Sequence, residues 1–239
     1  MMLLKKYDDF IDRVNGLGFM ALSNILPGFP SLTAETPKEI WHTGIPDTDP
    51  WCWKDRAAEE KRLAFGCILG GHKGFISERM YPLFYKAFHP QEHMEERRLS
   101  GEISQTVWQL WEFLPGCMGE QQAMPATSQR GTLLDTADIR REMGVKLKKG
   151  GSKVDRAIKE LQQYFYITVA GSRRKTDKYG QPYGWPANVY DRVENWAPEG
   201  WIKQNPDLSR EDAREMILDA GMLICKDVSR SELARTLGM

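Results

Sequence analysis

Apolar side chains between about residues 135 and 196 are spaced in a way that predicts two helices followed by two strands. The second helix is marked by apolar residues at intervals of four, three and four, namely Val154, Ile158, Leu161 and Phe165. Such intervals place side chains on one face of a helix. Another face carries the polar residues Lys153, Arg156, Lys159 and Gln163. We therefore expect this helix to bury one side and to present a basic side.

Cap and turn residues set the boundaries of the same region. The first helix is expected to begin near Asp135, a good N-cap, and to end at Gly144. The second helix opens at Ser152. Two stretches rich in aromatic and β-branched residues, Tyr164–Ala170 and Trp185–Trp196, predict strands joined by a polar loop. Helix, turn, helix and hairpin together are the pattern of a winged helix.

The charge distribution indicates a partner for this region. Residues 126–180 contain thirteen basic and six acidic side chains, a surplus of +7, whereas the whole chain has a net charge of zero. A local surplus on a neutral protein favours a directed patch for phosphate groups. A solvated helix and an exposed hairpin would give the same pattern, and that alternative stays open.

The residues predicted to contact DNA all lie in the two parts of this basic region, the helix with its preceding turn and the hairpin loop. They are Lys146, Lys148, Lys149, Lys153, Arg156, Lys159, Gln163, Arg173, Arg174, Lys175 and Lys178. Arg156 and Gln163 are expected to read bases, because Arg pairs with guanine and Gln with adenine. The basic residues of the turn and of the loop are expected to hold phosphates.

Residues 41–53 contain three Trp, one His and two Asp with turn residues between them. One interpretation is a Trp-rich loop that closes one end of the core. The other is a pocket rim on which Trp41, Trp51 or Trp53 stacks a base. In that case Asp47 or Asp49 would be the acid.

Several classes of function are not supported by the sequence. No apolar run approaches eighteen residues, so no transmembrane helix is expected, and the N-terminus lacks the apolar core of a signal peptide. The four cysteines form no C-x-x-C pair, so we expect free thiols in a reducing cytoplasm and no zinc. His89 and His93 are separated by Pro90 and lack a further ligand pair, so no metal or cofactor is predicted.

The glycine-rich stretch Ala64–Phe75 is not a phosphate-binding loop, because Lys73-Gly74 is not followed by a Ser or Thr that opens a helix. Its glycines are expected to let the backbone pass closely beneath packed aromatic side chains. Further helices are predicted over Leu3–Gly16, along the stripe from Ile103 to Leu114, and in the tail after Ser209. The segment Val228–Gly238 resembles the first half of a helix-turn-helix and is expected to pack on the core or on a partner.

Three segments carry a family resemblance. They are Phe75-Ile76-Ser77 with Tyr81-Pro82, the run Asn188-Val189-Tyr190-Asp191-Arg192 before Trp196-Ala197-Pro198, and Arg210-Glu211-Asp212-Ala213 with the tail from Asp227 to Gly238. Over about the last two-thirds of the chain they resemble the AlkZ/YcaQ-like winged-helix DNA glycosylases, which act on bulky or crosslinked lesions. The resemblance implies tandem winged helices and a concave basic surface that cradles duplex DNA.

The chain departs from that family at its catalytic motif. The glycosylases carry Gln-x-Gln or Gln-x-Asp near the N-terminus, and neither motif stands in the first hundred residues here. Gln121-Gln122 and Gln162-Gln163 are adjacent pairs in other places. The sequence therefore indicates a relative that kept the fold of the family and either lost the catalytic residues or carries them at other positions.

The expected fold is mainly α with small β-hairpin wings, an α+β class, in a tandem winged-helix architecture. We expect a helical, Trp-rich region over residues 1–100, a winged-helix domain over 101–200 and a C-terminal helical segment over 201–239. The first functional hypothesis is a DNA-binding protein without catalysis. The second is a base-excision glycosylase in which Asp47, Asp49 or Glu59 positions water. The third is a protein–protein module, with a protein partner or a homo-oligomer in place of duplex DNA.

Overall fold

Two three-stranded antiparallel sheets organise the chain, and both place their strands in the same order. The computed structural model describes residues 3–114, 133–145, 151–203 and 207–239, without the side chains of residues 151 and 152. In each sheet the strand that comes last along the chain lies in the centre and pairs with the other two. The helices between the strands follow a common order as well, so the chain contains two comparable units.

The first unit covers residues 7–77. Its elements are α1 (Tyr7–Leu17), β1 (Phe19–Ala21), α2 (Leu32–Glu35), α3 (Pro50–Glu59), β2 (Leu63–Leu69) and β3 (His72–Ser77). A single 3-10 turn, Lys38–Ile40, lies between α2 and α3. Two helices, α4 (Tyr81–Phe88) and α5 (Met94–Leu99), connect this unit to the next.

The second unit covers residues 105–192. Its elements are α6 (Gln105–Phe113), β4 (Leu134–Asp135), α7 (Thr136–Glu142), α8 (Gly151–Gln163), β5 (Ile167–Thr176) and β6 (Pro182–Arg192). Four helices follow it, α9 (Val193–Trp196), α10 (Glu199–Ile202), α11 (Arg210–Ile224) and α12 (Arg230–Leu237). The predicted α+β class is thus confirmed for the described residues.

Side-chain caps explain where several helices begin. Asp135 accepts hydrogen bonds from the backbone N–H groups of Ala137 and Asp138, as its predicted N-cap role requires. Ser209 caps α11 through the N–H of Asp212, and Ser229 forms a capping box with Glu232 at α12. These polar residues satisfy N–H groups that the first turn of a helix leaves without a partner.

The hairpin of the second unit is longer than the sequence predicts. Residues 171–176 and 182–184 were expected in a polar loop, but they continue the strands, with Lys175 opposite Tyr183. The register shifts between Arg173 and Lys175, and Gly184 there adopts a φ of +71°, which favours glycine. At its other end β6 stops at Arg192, where the short helix α9 begins.

The first unit contains a sheet that the helical prediction for residues 1–100 omits. Helix α3 ends at Glu59, and β2 follows as part of this sheet. Ser77 is the last residue of β3. A close approach does occur at Gly70, where a Cβ would lie 2.1 Å from the Thr236 carbonyl oxygen, but its partner is the backbone of α12 and not the aromatic side chains that were expected.

Both faces of the first sheet are buried, by two different clusters of side chains. Phe65 and Phe75 join a cluster with α1, α3, α6 and α8, whereas Ala64 and Ile76 join one with α4 and α9 to α12. Leu233 of α12 is fully buried in the second cluster, so the predicted packing of the tail on the core is confirmed.

None of the described helices is long and apolar enough to cross a membrane. The division of the chain at residues 100 and 200 stays a prediction.

Candidate nucleic-acid interface

The basic side of α8 faces solvent because its apolar side fills the core. Val154, Ile158 and Leu161 are buried, as their spacing predicts. On the other side Lys153, Arg156 and Lys159 are exposed, and Gln163 is half-buried. The helix therefore presents a positively charged strip along most of its described length.

The turn between β2 and β3 lies against the last turn of α8. A Cβ at Gly71 would lie 2.5 Å from Cε of Lys159 and 2.7 Å from Nε2 of Gln163. Gly71 also has a φ of +84°, a backbone conformation that favours glycine. The base-reading roles of Arg156 and Gln163 stay predictions.

Two polar contacts fix α8 in place. Nη2 of Arg140 donates to both carboxylate oxygens of Asp155, at 2.7 and 2.9 Å, which joins α7 to α8. Oε1 of the buried Gln162 accepts a hydrogen bond from the N–H of Cys67 at 3.0 Å, and its Nε2 donates to the Ile158 carbonyl. Gln162 thus holds the helix against β2, with both ends of its amide occupied.

Three of the predicted phosphate contacts, Lys146, Lys148 and Lys149, lie outside the described residues.

The four basic residues of the hairpin have different surroundings. Arg173 donates to the buried carboxylate of Asp138 at 3.2 Å and to the Leu133 carbonyl at 2.9 Å. Arg174 and Lys175 are exposed, and Arg174 borders a cavity described below. The ammonium group of Lys178 lies 4.8 Å from the ring centre of Tyr179. Arg173 is therefore an anchor of the hairpin, and the other three offer more accessible charge.

Three aromatic side chains of the same hairpin are exposed to solvent. The exposed fractions are 74% for Tyr179, 53% for Tyr183 and 68% for Trp185. Aromatic and basic side chains placed together on a projecting hairpin are typical of surfaces that contact nucleic acids.

A cavity of about 520 Å³ separates this hairpin from α3 and from the Trp-rich loop before it. We call it the interunit cavity, because its walls come from both units. Its lining includes His42, Asp49, Asp55, Glu59, Arg174 and Trp185. Gly171, at a φ of +149°, lets β5 pass close to α3 at Glu59. The cavity thus combines carboxylates, the guanidinium groups of Arg56 and Arg174, and aromatic rings.

The aromatic rings of the interunit cavity meet one another edge to face. The ring centre of Trp185 lies 5.3 Å from that of His42 and 6.4 Å from that of Trp51, at interplanar angles of 82° and 81°. His42 and Trp51 are 5.1 Å apart. His42 also adopts a φ of +63°, which is uncommon for a residue other than glycine. A network that includes Asp49 holds this backbone conformation.

Asp49 is an organising residue of the loop. Its carboxylate is buried and accepts hydrogen bonds from the N–H groups of His42 at 3.0 Å, Gly44 at 2.8 Å and Trp51 at 2.9 Å. These three bonds cap α3 and fix the preceding turn. Asp47, the other acid predicted there, is exposed and pairs with Arg56 at 2.9 Å.

Glu59 and Asp55 lie one helical turn apart on α3 and both line the interunit cavity. Asp55 is buried and forms an ion pair with the neighbouring Lys54, whose ammonium group lies 4.4 Å from the ring centre of Trp51. Burial lowers the pKa of Lys54, and the adjacent Asp55 opposes that shift. The carboxylate of Glu59 is exposed and forms no ion pair with any described residue. Glu59 is therefore the predicted acid whose carboxylate is open to a ligand.

The three predicted base-stacking tryptophans are placed differently. Trp51 is half-buried and lines the interunit cavity. Trp41 is also half-buried, and its indole N–H donates to Oγ1 of Thr36 at 2.9 Å. Trp53 is fully buried and stacks on Phe10 at 5.7 Å, so it belongs to the core in this structure. Trp53 thus fits the interpretation of a core residue, whereas base stacking by Trp41 or Trp51 stays a prediction.

Sequence reasoning did not single out His42, Asp55 or Trp185 as site residues. His42 stands within the Trp-rich segment, so the composition of that segment was a usable signal. Trp185 lies between Gly184 and Pro186, where an aromatic residue beside turn residues suggests exposure. Asp55 carried no such signal, because its place depends on how α3 faces the other unit. Across the described ranges no group of three or more His, Cys, Asp or Glu side chains could hold a metal ion.

Comparison with known proteins identifies the family. The sequence model of the family described as AlkZ related matches residues 4–238, which is nearly the whole chain. No curated protein and no solved structure gives a significant match. The resemblance first carried by three short segments therefore extends over both units and the tail. This chain belongs to the AlkZ-related family.

Proposed function

We propose that the protein binds duplex DNA through two winged helices, of which the second supplies the main contact surface. The order helix, strand, helix, helix, strand, strand occurs in residues 7–77 and again in residues 105–192. Both sheets have the same strand order, which is the order expected of a winged helix with a third short strand. The repeated order supports the tandem architecture that the family resemblance implies.

The observation that carries the proposal is the exposed basic side of α8 beside a projecting basic hairpin. A helix that packs its apolar side inward can place its other side in the major groove, while a hairpin contacts the neighbouring backbone. The exposed positive charges of both elements belong to one unit, although the whole chain is neutral. The thiols of Cys52, Cys67 and Cys225 are free, as we expect of a protein that acts on DNA in a reducing cytoplasm.

The proposal is tested by measuring affinity for a short duplex at several salt concentrations. We expect Arg174→Ala combined with Lys175→Ala to weaken binding and to make its dependence on salt shallower. Each lost phosphate contact should lower the slope of log K against log salt concentration by roughly one. Arg173 is left unchanged, since its contact with Asp138 would add a structural effect.

The matched control is Lys5→Ala combined with Lys226→Ala, which removes two exposed charges far from the hairpin in sequence. Equal slopes for the hairpin variant and the unaltered protein would refute the assignment of the hairpin. Absence of binding to duplex DNA at low salt would refute the proposal itself and would favour the protein–protein hypothesis.

A second candidate function, base excision, is favoured by the exposed carboxylate of Glu59 in the interunit cavity. A glycosylase needs a group that positions water against the sugar carbon, and a carboxylate serves this role. Asp49 is less suited because three N–H groups occupy its carboxylate. We expect Glu59→Gln to abolish base release from an alkylated duplex, with Glu39→Gln, an exposed acid elsewhere, as control. Unchanged release in Glu59→Gln would remove Glu59 from the reaction.

A further inference from the structure

Resting on the proposed DNA binding, we infer that the interunit cavity receives one unpaired nucleobase. The protein should then bind DNA that contains an unpaired base more tightly than continuous duplex. The cavity has a volume of about 520 Å³, within the range of roughly 300–1,000 Å³ found for small-ligand sites. Its position between the hairpin and α3 places it beside the proposed DNA surface.

The aromatic lining suits the flat face of a base. Trp185 meets His42 and Trp51 edge to face, and in such a pair only one ring covers a face of the other. Ring faces therefore remain for a ligand. Trp185 is also 68% exposed, so much of its indole surface is in water until another group covers it. Stacking of a base on aromatic side chains is favourable whatever the base, since every base has a π-face.

The polar lining suits the edge of a base. Glu59 presents an open carboxylate and Asp55 one that is already paired with Lys54, and carboxylates accept hydrogen bonds from the amino and ring N–H groups of bases. Ser172 and Arg174 on the opposite wall supply donors for base carbonyls and ring nitrogens. This combination of stacking and hydrogen bonding to a base edge is how proteins hold a nucleotide taken out of the helix.

The local backbone keeps this lining in position. The hydrogen bonds of Asp49 fix His42 in its uncommon conformation at one wall. At the opposite wall the irregular register of the hairpin beside Gly184 places Trp185 toward the Trp-rich loop. The wall at His42 is therefore shaped by a conformation that costs free energy, which is frequent at binding sites.

The test compares two duplexes of identical sequence, one fully paired and one carrying a single bulged 5-iodouracil. We expect the bulged duplex to bind roughly tenfold more tightly. Trp185→Ala should reduce that ratio to about one. Tyr179→Ala is the matched control, an exposed aromatic residue of the same hairpin outside the cavity lining, and should keep the ratio.

Photocrosslinking of the bulged 5-iodouracil gives a second measurement, which locates the unpaired base directly. Its result does not depend on whether Trp185→Ala disturbs the structure of the hairpin. We expect the crosslink to map to residues 42–59, to Ser172 or Arg174, or to residues 184–186, which line the cavity. Equal affinity for the two duplexes, or a crosslink confined to other residues, would overturn the inference while leaving the proposed DNA binding intact. Failure to bind either duplex would refute the proposed function and this inference with it.

Discussion

The two units share one order of elements, yet their hairpins lie in opposite surroundings. The β2–β3 hairpin is buried on both faces, and its turn at Gly70 touches α12 while Gly71 touches α8. The β5–β6 hairpin is buried only at its base, and its outer half is exposed. The same topology thus serves as a scaffold in the first unit and as a projecting surface in the second. The two hairpins differ because other helices cover the first one and leave the outer half of the second exposed.

The largest expected difference between the hairpins concerns their aromatic side chains. Phe75 is fully buried and contacts Phe65 and Phe10 at ring-centre distances of 5.0 and 4.9 Å. We expect Phe75→Ala to lower the free energy of unfolding by about 3–5 kcal/mol, because it leaves a cavity in the core. Tyr183→Ala, in the exposed hairpin, should change it by about 0.5 kcal/mol or less. Urea denaturation of both variants measures the change in the free energy of unfolding. Similar decreases for the two variants would contradict the proposed difference between the hairpins.

A smaller difference is expected at the glycines of the two hairpins. Gly70 and Gly184 have similar φ values of +58° and +71°, so alanine strains both by about 1–2 kcal/mol. At Gly70 the added Cβ would also lie 2.1 Å from the Thr236 carbonyl oxygen, whereas open space surrounds Gly184. We expect Gly70→Ala to cost about 1–3 kcal/mol more than Gly184→Ala in thermal or urea unfolding. Equal costs in free energy would mean that α12 shifts to accommodate the added methyl group without loss of stability.

Two acids of the Trp-rich loop, at the boundary between the units, provide a third contrast. Asp49→Ala removes three hydrogen bonds from backbone N–H groups and should lower the free energy of unfolding by about 1–2 kcal/mol. Asp47→Ala removes an exposed ion pair with Arg56 and should cost less than about 1 kcal/mol. If Asp47→Ala proves the more damaging in denaturation experiments, the organising role of Asp49 is wrong.

The smallest effect we expect is a dependence of stability on pH through His89, at the end of α4. Its Nδ1–H donates to the Tyr164 carbonyl at 3.0 Å, which joins α4 to the segment before β5. Burial lowers the pKa of His89 below its ordinary value of 6.5. The unfolded chain then takes up the proton more readily, so stability should fall as the pH drops below about 6.5.

His89→Phe keeps a ring against Tyr85 and removes the titration, so its stability should fall less between pH 7 and pH 5. His72→Gln, an exposed histidine of β3, is the control and should follow the unaltered protein. An identical pH dependence in all three proteins would exclude His89 as the source.

The second unit was the part of the fold most accessible from the sequence. Local signals determine it, such as the apolar spacing of α8 and the capping carboxylate of Asp135. The first sheet was not predicted from the sequence. Strands β2 and β3 are buried on both faces, so they lack the alternation of polar and apolar residues that marks a strand with one exposed face. The glycines of this segment were understood as points of close approach, but their partners in α8 and α12 are distant in sequence.

The candidate site was predictable only in part, for a related reason. The acids and tryptophans of residues 41–53 were found from composition, yet composition does not tell Trp53 in the core from Trp51 at a cavity. Trp185 and Asp55 belong to the same cavity only because the hairpin of one unit lies across α3 of the other. This arrangement depends on packing between residues distant in sequence, which local sequence patterns do not predict.

The run of positive charge on β5 has a consequence for the behaviour of the protein in solution. In the order β4, β6, β5, strand β5 is at the edge of its sheet, and its outer half is exposed. An exposed edge strand can pair with another molecule, and charged side chains on it prevent such association. Arg173, Arg174 and Lys175 therefore also guard against aggregation. The Arg174→Ala and Lys175→Ala variant should therefore also be measured for self-association, because neutral replacements weaken this protection.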